Sequence, residues 1–120
     1  MSQAEFLLAR YAAGERSFAD LYLGDQVCDF AGAELAGADF SRSFIVASFR
    51  NANLAGAKFE YANVKTCDFR GAILESASFA GAAIDAADFR GANMKDASFA
   101  GASEQGHVYA EDELPVPREA

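Results

Sequence analysis

The sequence has no tryptophan, a single histidine, and only two cysteines and two prolines in 120 residues. The single histidine, His107, excludes a multi-histidine metal site within one chain and disfavours a histidine-based catalytic dyad. There is no long uncharged apolar run, which excludes a membrane-spanning helix. The two cysteines, Cys28 and Cys67, fit either a disulfide or two buried thiols on composition alone. The composition therefore offers little material for metal or redox chemistry.

Basic residues are scarce, with ten against eighteen acidic ones, a formal charge of -8 and an isoelectric point near 4.5. This balance opposes phosphate backbones and anionic lipids, so we expect no direct nucleic-acid ligand and no membrane partner. The opening MSQAEFLLARYAAGE does not have the pattern of a secretory signal. The length suits one domain, and a hydrophobic content of 52% excludes an ordinary disordered acidic chain. We expect a folded, soluble, cytoplasmic protein.

A five-residue period runs from Cys28 onward. Each unit reads small, polar, large apolar, variable and then often glycine, as in CDFAG, AELAG, ADFSR, ASFRN, ANLAG and AKFEY. A five-residue step advances an α-helix by about 500°, which would spread the large residues around the helix. The same odd step would place them on alternating faces of a flat strand. Neither regular element buries this pattern.

The spacing within each unit predicts a coil instead. The small and the large residue are two apart, so a short extended segment points both of them inward. The remaining two residues must then turn a corner before the next pair. Glycine at the second corner position suits a positive φ there, and it occurs at Gly32, Gly37, Gly56, Gly71, Gly81, Gly91, Gly101 and Gly106. We therefore expect a solenoid.

The large residues alternate between aromatic and aliphatic, which indicates the number of sides. A three-sided coil would stack phenylalanine on aliphatic residues, whereas a four-sided coil stacks each kind on its like. We predict an all-β, four-sided parallel coil with twenty residues per rung and rungs about 4.8 Å apart. Its predicted core comprises Phe30, Phe40, Phe49, Phe59, Phe69, Phe79, Phe89 and Phe99 with Leu35, Ile45, Leu54, Val64, Leu74, Ile84 and Met94.

Two irregularities interrupt the period. Only nine residues separate Phe40 from Phe49, and Ile45 preserves the alternation where Phe44 would break it. One corner residue is therefore missing near Val46, and Phe44 is predicted to face outward. Phe18 and Leu23 extend the pattern backwards, with two extra residues in GDQV before Cys28.

These units resemble the pentapeptide repeat family, whose motif is written A(D/N)LXX. AELAG, ANLAG, ADFRG and ANMKD match it closely, and the resemblance covers residues 15–106. The segment LLARYAAGERSF is similar to the helix that precedes the first repeat in many such proteins. The resemblance implies a right-handed quadrilateral β-helix. Counting units from Phe18 to an incomplete one at Glu104 gives about four and a half coils.

The two ends differ in character. Residues 1–14 are predicted to form a capping helix stopped by Gly14, because an open end of a β-solenoid exposes unpaired backbone. Its apolar residues are Phe6, Leu7, Leu8 and Tyr11. Residues 107–120 form an acidic, proline-containing tail, of which we expect the last ten residues to be loose. Only Val108, Tyr109 and Leu114 are available there to cover the last rung.

The cysteines are predicted to occupy one column, two rungs apart. That separation is about 10 Å by the strand spacing, beyond the roughly 7 Å limit for the Cα atoms of a disulfide. We therefore expect Cys28 and Cys67 to be small core residues.

One predicted face carries a column of arginines, Arg50, Arg70 and Arg90, beside Asp29, Ser48, Asp68 and Asp88. The arginines would serve either as bidentate donors to carboxylates of a partner or as neutralising neighbours of the aspartates on a solvated face. We favour the second interpretation.

Another predicted face collects Phe44, Val46 and Ala83 where other units carry polar residues. Clustered exposed aromatics suggest a contact patch. The alternative is that Phe44 folds over the corner left by the missing residue. Tyr61 and Ile73 are lesser candidates of the same kind.

No phosphate-binding loop, CxxC motif or framed pair of carboxylates is present. Phenylalanine and leucine fill the solenoid, so we predict no cofactor and no enzyme activity. The first functional hypothesis is a rigid protein-binding or scaffold module, as monomer or homodimer, with an unidentified partner. The second follows from the resemblance alone, since some pentapeptide repeat proteins mimic DNA, bind DNA gyrase or topoisomerase IV and protect it from quinolones. Against it, residues 28–106 carry a net charge of only -3.

Overall fold

A computed structural model of the protein describes residues 1–115. Helix α1 (Gln3–Ala12) is followed by strands β1 (Tyr22–Asp29), β2 (Phe44–Ser48), β3 (Ser103–Glu104) and β4 (His107–Val108). Strands β1 and β2 pair in parallel, and β3 and β4 form an antiparallel hairpin. Outside these strands, successive turns of the chain pair through isolated parallel bridges. No helix within the described residues is long and apolar enough to cross a membrane.

Each five-residue unit turns a corner in the same way. The carbonyl of the large residue accepts a hydrogen bond from the amide three residues on, as in Ala72 N to Phe69 O at 3.0 Å. The second corner residue has positive φ, which is the pattern of a type II turn. Glycine holds this position in about half of the units, but Thr66 (φ 65) and Ala86 (φ 59) adopt the same backbone. The coil geometry therefore imposes the left-handed conformation whatever the side chain.

The sequence separation between paired residues shows where the repeat lacks a residue or has extra ones. Units in the second half pair at a spacing of twenty, as in Asn63 with Ala83 and Lys58 with Ser78. Phe44 pairs with Asn63 nineteen residues on, and Tyr22 pairs with Phe44 twenty-two residues on. These spacings correspond to one residue missing after Ile45 and two extra residues after Leu23.

The same irregularities explain why β1 and β2 are the longest strands of the described chain. Without one corner residue, β2 continues through its corner with Ile45 and Ala47 inward and Val46 half-buried between them. Strand β1 instead bulges between Leu23 and Cys28, so four residues lie opposite Val46 alone. The bulge projects outward and leaves Val27 70% exposed.

Stacked rings fill the interior. Phe30, Phe49, Phe69 and Phe89 form one column and Phe18, Phe40, Phe59, Phe79 and Phe99 a second, with centroids 4.7 to 5.8 Å apart within each. The columns meet edge to face, with Phe69 and Phe79 at 5.4 Å and 89°. All the predicted core residues are buried except Met94, which is half-buried near the last rung. Aromatic contacts of both geometries thus connect every rung to its neighbours.

Helix α1 covers the first rung. Ser2 and Glu5 form a capping box at its start, which satisfies amides that the first turn leaves unpaired. Leu7 and Ala4 are buried against the core. The Tyr11 hydroxyl donates to the carbonyl of Ala36 at 2.6 Å, which ties the helix to the coil.

The β3–β4 hairpin closes the other end and crosses the boundary at residue 106 that the sequence suggests. Its turn uses Gln105 and Gly106, both with positive φ, as a two-residue hairpin requires. Tyr109 is buried beneath it, 6.3 Å from Phe99, and its hydroxyl donates to Glu104. Residues 111–115 are described, and Glu113 accepts from Ala110 N. The rest of the tail, predicted to be loose, lies outside the described residues.

Candidate functional site

One column of outward-facing residues carries no charge along its whole height. It comprises Tyr22, Phe44, Asn63, Ala83, Ser103 and Val108, joined by successive backbone pairings. We call these six residues the uncharged face. The other columns carry charged side chains at Asp39 and Lys58, at Asp29, Asp68 and Asp88, and at Glu34. Among the described residues, the uncharged face is thus the one outward column in which a partner would find no charge to desolvate.

Tyr22 and Phe44 stack on each other at the N-terminal end of this face. Their ring centroids lie 5.2 Å apart and their planes differ by 12°. The rings stay partly in solvent, with Tyr22 58% and Phe44 39% exposed. Phe44 lies over Gly24, where an added Cβ would clash with its ring. Phe44 therefore packs locally on β1 and also presents an apolar surface.

Tyr61 occupies the corner beside the uncharged face and is 71% exposed. Its ring lies against Gly81 of the next rung, where an added Cβ would come 2.5 Å from two ring carbons. On the rungs towards the C-terminus, the same corner carries only Gly81 and Gly101. On the rungs towards the N-terminus it carries Arg42 and Asp20, which form a bidentate ion pair at 2.8 and 3.0 Å. The bulky residues therefore lie towards the N-terminal end and the small ones towards the C-terminal end.

The opposite edge of the face carries Val46, Lys65 and Asp85 on successive rungs. Thr66 N donates to Asp85 O at 3.0 Å, which fixes this register. Val46 is half-buried, so it contributes less apolar surface than the stacked rings. Lys65 is exposed and forms no ion pair with any residue of the described chain. Asp85 accepts a hydrogen bond from Gln105 N at 3.3 Å.

The arginine column is largely self-neutralised. Arg70 binds Asp68 and Arg90 binds Asp88, each through two guanidinium nitrogens, and Arg70 also approaches Asp88 at 3.7 Å. These hydrogen bonds are the main cause that lowers the pKa of each aspartate from its ordinary value. Arg50 has Ser48 in place of an aspartate and forms no ion pair within residues 1–115. Asp29 accepts instead from Ala31 N at 3.0 Å.

Ile73 stands apart from these surfaces. It is 41% exposed and lies in the column of Glu34, Asn53 and Asn93. The structure therefore brings Phe44, Tyr61 and Val46 together and places Ile73 and the arginines elsewhere.

The described residues form no cluster of three or more histidine, cysteine, aspartate or glutamate side chains that could hold a metal. An open groove of about 490 Å³ lies between residues 1–4 and residues 25–29, the start of α1 and the bulge of β1. Both cysteines are buried and free. The Cys67 thiol donates to Ile45 O at 3.2 Å, and burial raises its pKa to about 12.

Two apolar members of the uncharged face, Tyr22 and Val108, were not placed on it by sequence reasoning. Tyr22 precedes the inward Leu23, so extending the outward column by one rung would have found it. Val108 has no such signal, because it joins the column through an antiparallel hairpin that breaks the five-residue period.

The five-residue repeat matches a known protein family. The family model described as pentapeptide repeats matches residues 47–83 and 72–103, with eight copies. Among curated proteins, no sequence matches this chain significantly.

Solved structures agree with this match. A pentapeptide repeat protein from the thylakoid lumen of Arabidopsis thaliana is 28% identical with a TM-score of 0.68, over 72% of this chain and 60% of its own length. A pentapeptide repeat protein from Nostoc PCC 7120 is 26% identical with a TM-score of 0.51, over 95% of this chain and 90% of its own. QnrB1, a plasmid-mediated fluoroquinolone resistance protein, is 24% identical with a TM-score of 0.56, over 65% of this chain and 48% of its own, and shows a shared fold alone.

The five-residue units, their parallel pairing and both comparisons agree on a right-handed β-helix solenoid. The chain spans 60% of the thylakoid protein. The resemblance seen in the sequence is confirmed: residues 47–103 of this chain match the pentapeptide repeat family, and its structural neighbours are pentapeptide repeat proteins.

Proposed function

We propose that this chain is a non-catalytic, rigid binding module that presents the uncharged face to another protein. The observation that carries the proposal is the exposed Tyr22 and Phe44 stack in the only uncharged column of the described coil. Aromatic residues held rigidly at a surface supply contact area at low conformational cost, and they dominate the energetics of many interfaces. Tyr61 at the adjoining corner extends this apolar surface.

A non-catalytic role is supported by how the coil is filled. Stacked phenylalanine and aliphatic side chains occupy the interior, and buried side-chain polar atoms all have partners within the described residues. Catalytic sites need a cleft with convergent polar groups. Repeat solenoids of this kind generally serve as structural and binding modules.

The finer architecture belongs to the same proposal. Four five-residue units per twenty-residue spacing support a four-sided cross-section and about four and a half coils. A cytoplasmic location, and the division into a capping helix (1–14), a coil (15–106) and a tail (107–120), are also part of it. We assign the arginine column to neutralising its own aspartates, because Arg70 and Arg90 already use their forked donors on Asp68 and Asp88.

Affinity capture from native lysate tests the proposal. The bait is the full chain, compared with Phe44→Asp and with Ile73→Asp as a matched control on another column. Circular dichroism first establishes that each variant is folded. We expect at least one protein to be enriched by the wild type and by Ile73→Asp and lost with Phe44→Asp. Binding that survives Phe44→Asp unchanged would exclude the uncharged face as the site.

A topoisomerase-directed role is a second candidate, because the formal charge of -8 has the sign that a DNA mimic needs, although residues 28–106 carry only -3 of it. The paired Arg70 and Arg90 oppose it, since they neutralise one of the acidic columns. A gyrase supercoiling assay with and without a quinolone, titrated with this protein, tests it. Inhibition or protection would promote this role, and no effect would remove it.

A further inference from the structure

We infer that the uncharged face binds a second copy of this chain, in an antiparallel two-fold dimer. This inference rests on the proposed function, because it names the partner of the same face. Its basis is the distribution of bulk, of charge and of available area over the six residues of that face.

Bulk is unequal at the two halves of the face. The N-terminal half carries the protruding rings of Tyr22 and Phe44, and the C-terminal half carries Ala83 and Ser103. A two-fold axis across the column, between Asn63 and Ala83, places the bulky half of each copy on the small half of the other. Phe44 then lies opposite the second copy's Ser103, and Tyr22 opposite its Val108, which is 64% exposed. Such a self-complementary contact closes after two copies and forms no open chain.

At the corner beside the face, Tyr61 projects at the middle of the coil and its ring covers Gly81 of the next rung. The same axis places Tyr61 of each copy at the level of the other copy's Gly81, so the two Tyr61 rings meet at the axis. In a parallel arrangement, Phe44 of one copy would face Phe44 of the other. No large side chain would then pack against Ala83 and Ser103, so packing contacts would be lost.

Charge favours the same arrangement. A chain of formal charge -8 repels its own copy, so self-association is least opposed at the column without charge. On the edge of that column Lys65 and Asp85 lie on successive rungs. The antiparallel axis places Lys65 of each copy opposite Asp85 of the other, which forms two symmetric ion pairs at the rim. Lys65 is available for this, since it has no ion-pair partner within the described chain.

The area of the uncharged face limits the affinity of the dimer. Six strands span about 24 Å at a spacing of ~4.8 Å, and the smallest extent of the chain is 23 Å. One copy therefore buries at most on the order of 550 Å² there, less than the ~800 Å² per partner of a standard interface. We expect a weak, reversible dimer with a dissociation constant on the order of micromolar.

Sedimentation velocity over low to high micromolar concentrations tests the dimer, using the full chain. Wild type and the Ile73→Asp control should show the same monomer–dimer equilibrium, and Phe44→Asp should remain monomeric. Lys65→Asp and Asp85→Lys should each weaken association by roughly five- to tenfold, because each opposes like charges at both rim contacts. The double variant exchanges the charges and should restore the wild-type constant.

A wild type that stays monomeric throughout overturns the inference, as does a dimer that the charge exchange fails to restore. The lysate capture then separates the two claims. A monomeric protein that still loses a different partner with Phe44→Asp leaves the proposed function standing and removes the dimer alone. A monomer whose capture is also unaffected by Phe44→Asp removes both.

Discussion

Phe69 and Phe89, twenty residues apart in sequence, stack with their ring centroids 5.1 Å apart and their planes within 2°. Phe69 also contacts Phe49 at 5.1 Å and Phe79 edge to face at 5.4 Å, so it joins three rungs. This contact shows how a five-residue period becomes a continuous core. Each phenylalanine stacks face to face on the next member of its column only after four units, as Phe69 does on Phe89.

Replacing Phe69 with alanine removes a fully buried ring that has aromatic neighbours above, below and beside it. We expect the free energy of unfolding to fall by about 3 to 5 kcal/mol. Chemical denaturation monitored by circular dichroism measures this loss. Val46→Ala, at a half-buried outward position, is the control and should cost much less. An unchanged Phe69→Ala protein would contradict the inward assignment.

Thr66 holds a corner at φ 65, a backbone region that β-branched residues rarely adopt. Replacing it with glycine should raise the free energy of unfolding by roughly 0.5 to 1 kcal/mol, since relief of strain exceeds the added flexibility of the unfolded chain. Gly56→Ala is the converse variant, because its φ is 68 and an added Cβ meets no atom within 4 Å. It should destabilise by a similar amount. Equal stability of all three proteins would refute backbone strain at the corners.

The corners illustrate what the sequence could and could not predict. Glycine at Gly71 indicates positive φ directly, but threonine at position 66 and alanine at position 86 give no such signal. Their conformation follows from the pairing of their unit with rungs on both sides, which is a tertiary constraint. The outward position of Phe44 and inward position of Ile45, by contrast, follow from the alternation of aromatic and aliphatic residues along the chain.

Cys67 should be chemically inert in the folded protein. Its thiol is buried, donates to Ile45 O, and has its pKa raised to about 12 by burial, so almost no thiolate exists at neutral pH. Burial also raises the pKa of Cys28. We expect neither thiol to react with Ellman's reagent until denaturant is added, when both should react. Rapid labelling of Cys67 under native conditions would show that the coil opens there.

Acid should weaken the coil through the aspartates of the arginine column. Hydrogen bonds from Arg70 and Arg90 lower the pKa of Asp68 and Asp88 below the unfolded value. The stability that they contribute is therefore full above the unfolded pKa and is lost as pH falls through the folded one. Asp88→Asn should reduce stability at neutral pH by less than about 1 kcal/mol and flatten its decline in acid. Glu75→Gln, at an exposed position, is the control, and the same acid profile in both variants would contradict this origin.

The candidate site was predicted in part, for a similar physical reason. Within the regular repeat, the residue before each large one faces outward, so Phe44 and Ala83 could be placed on one column from spacing alone. The Tyr22 stack depended on pairing across the β1 bulge, and Val108 on a hairpin outside the repeat. Where the period breaks, tertiary pairing decides which residues become neighbours.

Tyrosine modification followed by mass spectrometry tests the central claim, that the uncharged face is the binding surface. Tyr22 and Tyr61 are exposed on or beside this face, whereas Tyr109 is buried and serves as an internal reference. The full chain is labelled at submicromolar concentration in buffer, at high micromolar concentration in buffer, and in native lysate. We predict that Tyr22 and Tyr61 are labelled less at the high concentration than at the low one, and that Phe44→Asp abolishes this difference. Equal labelling of both tyrosines in all three samples would exclude the uncharged face as the binding surface.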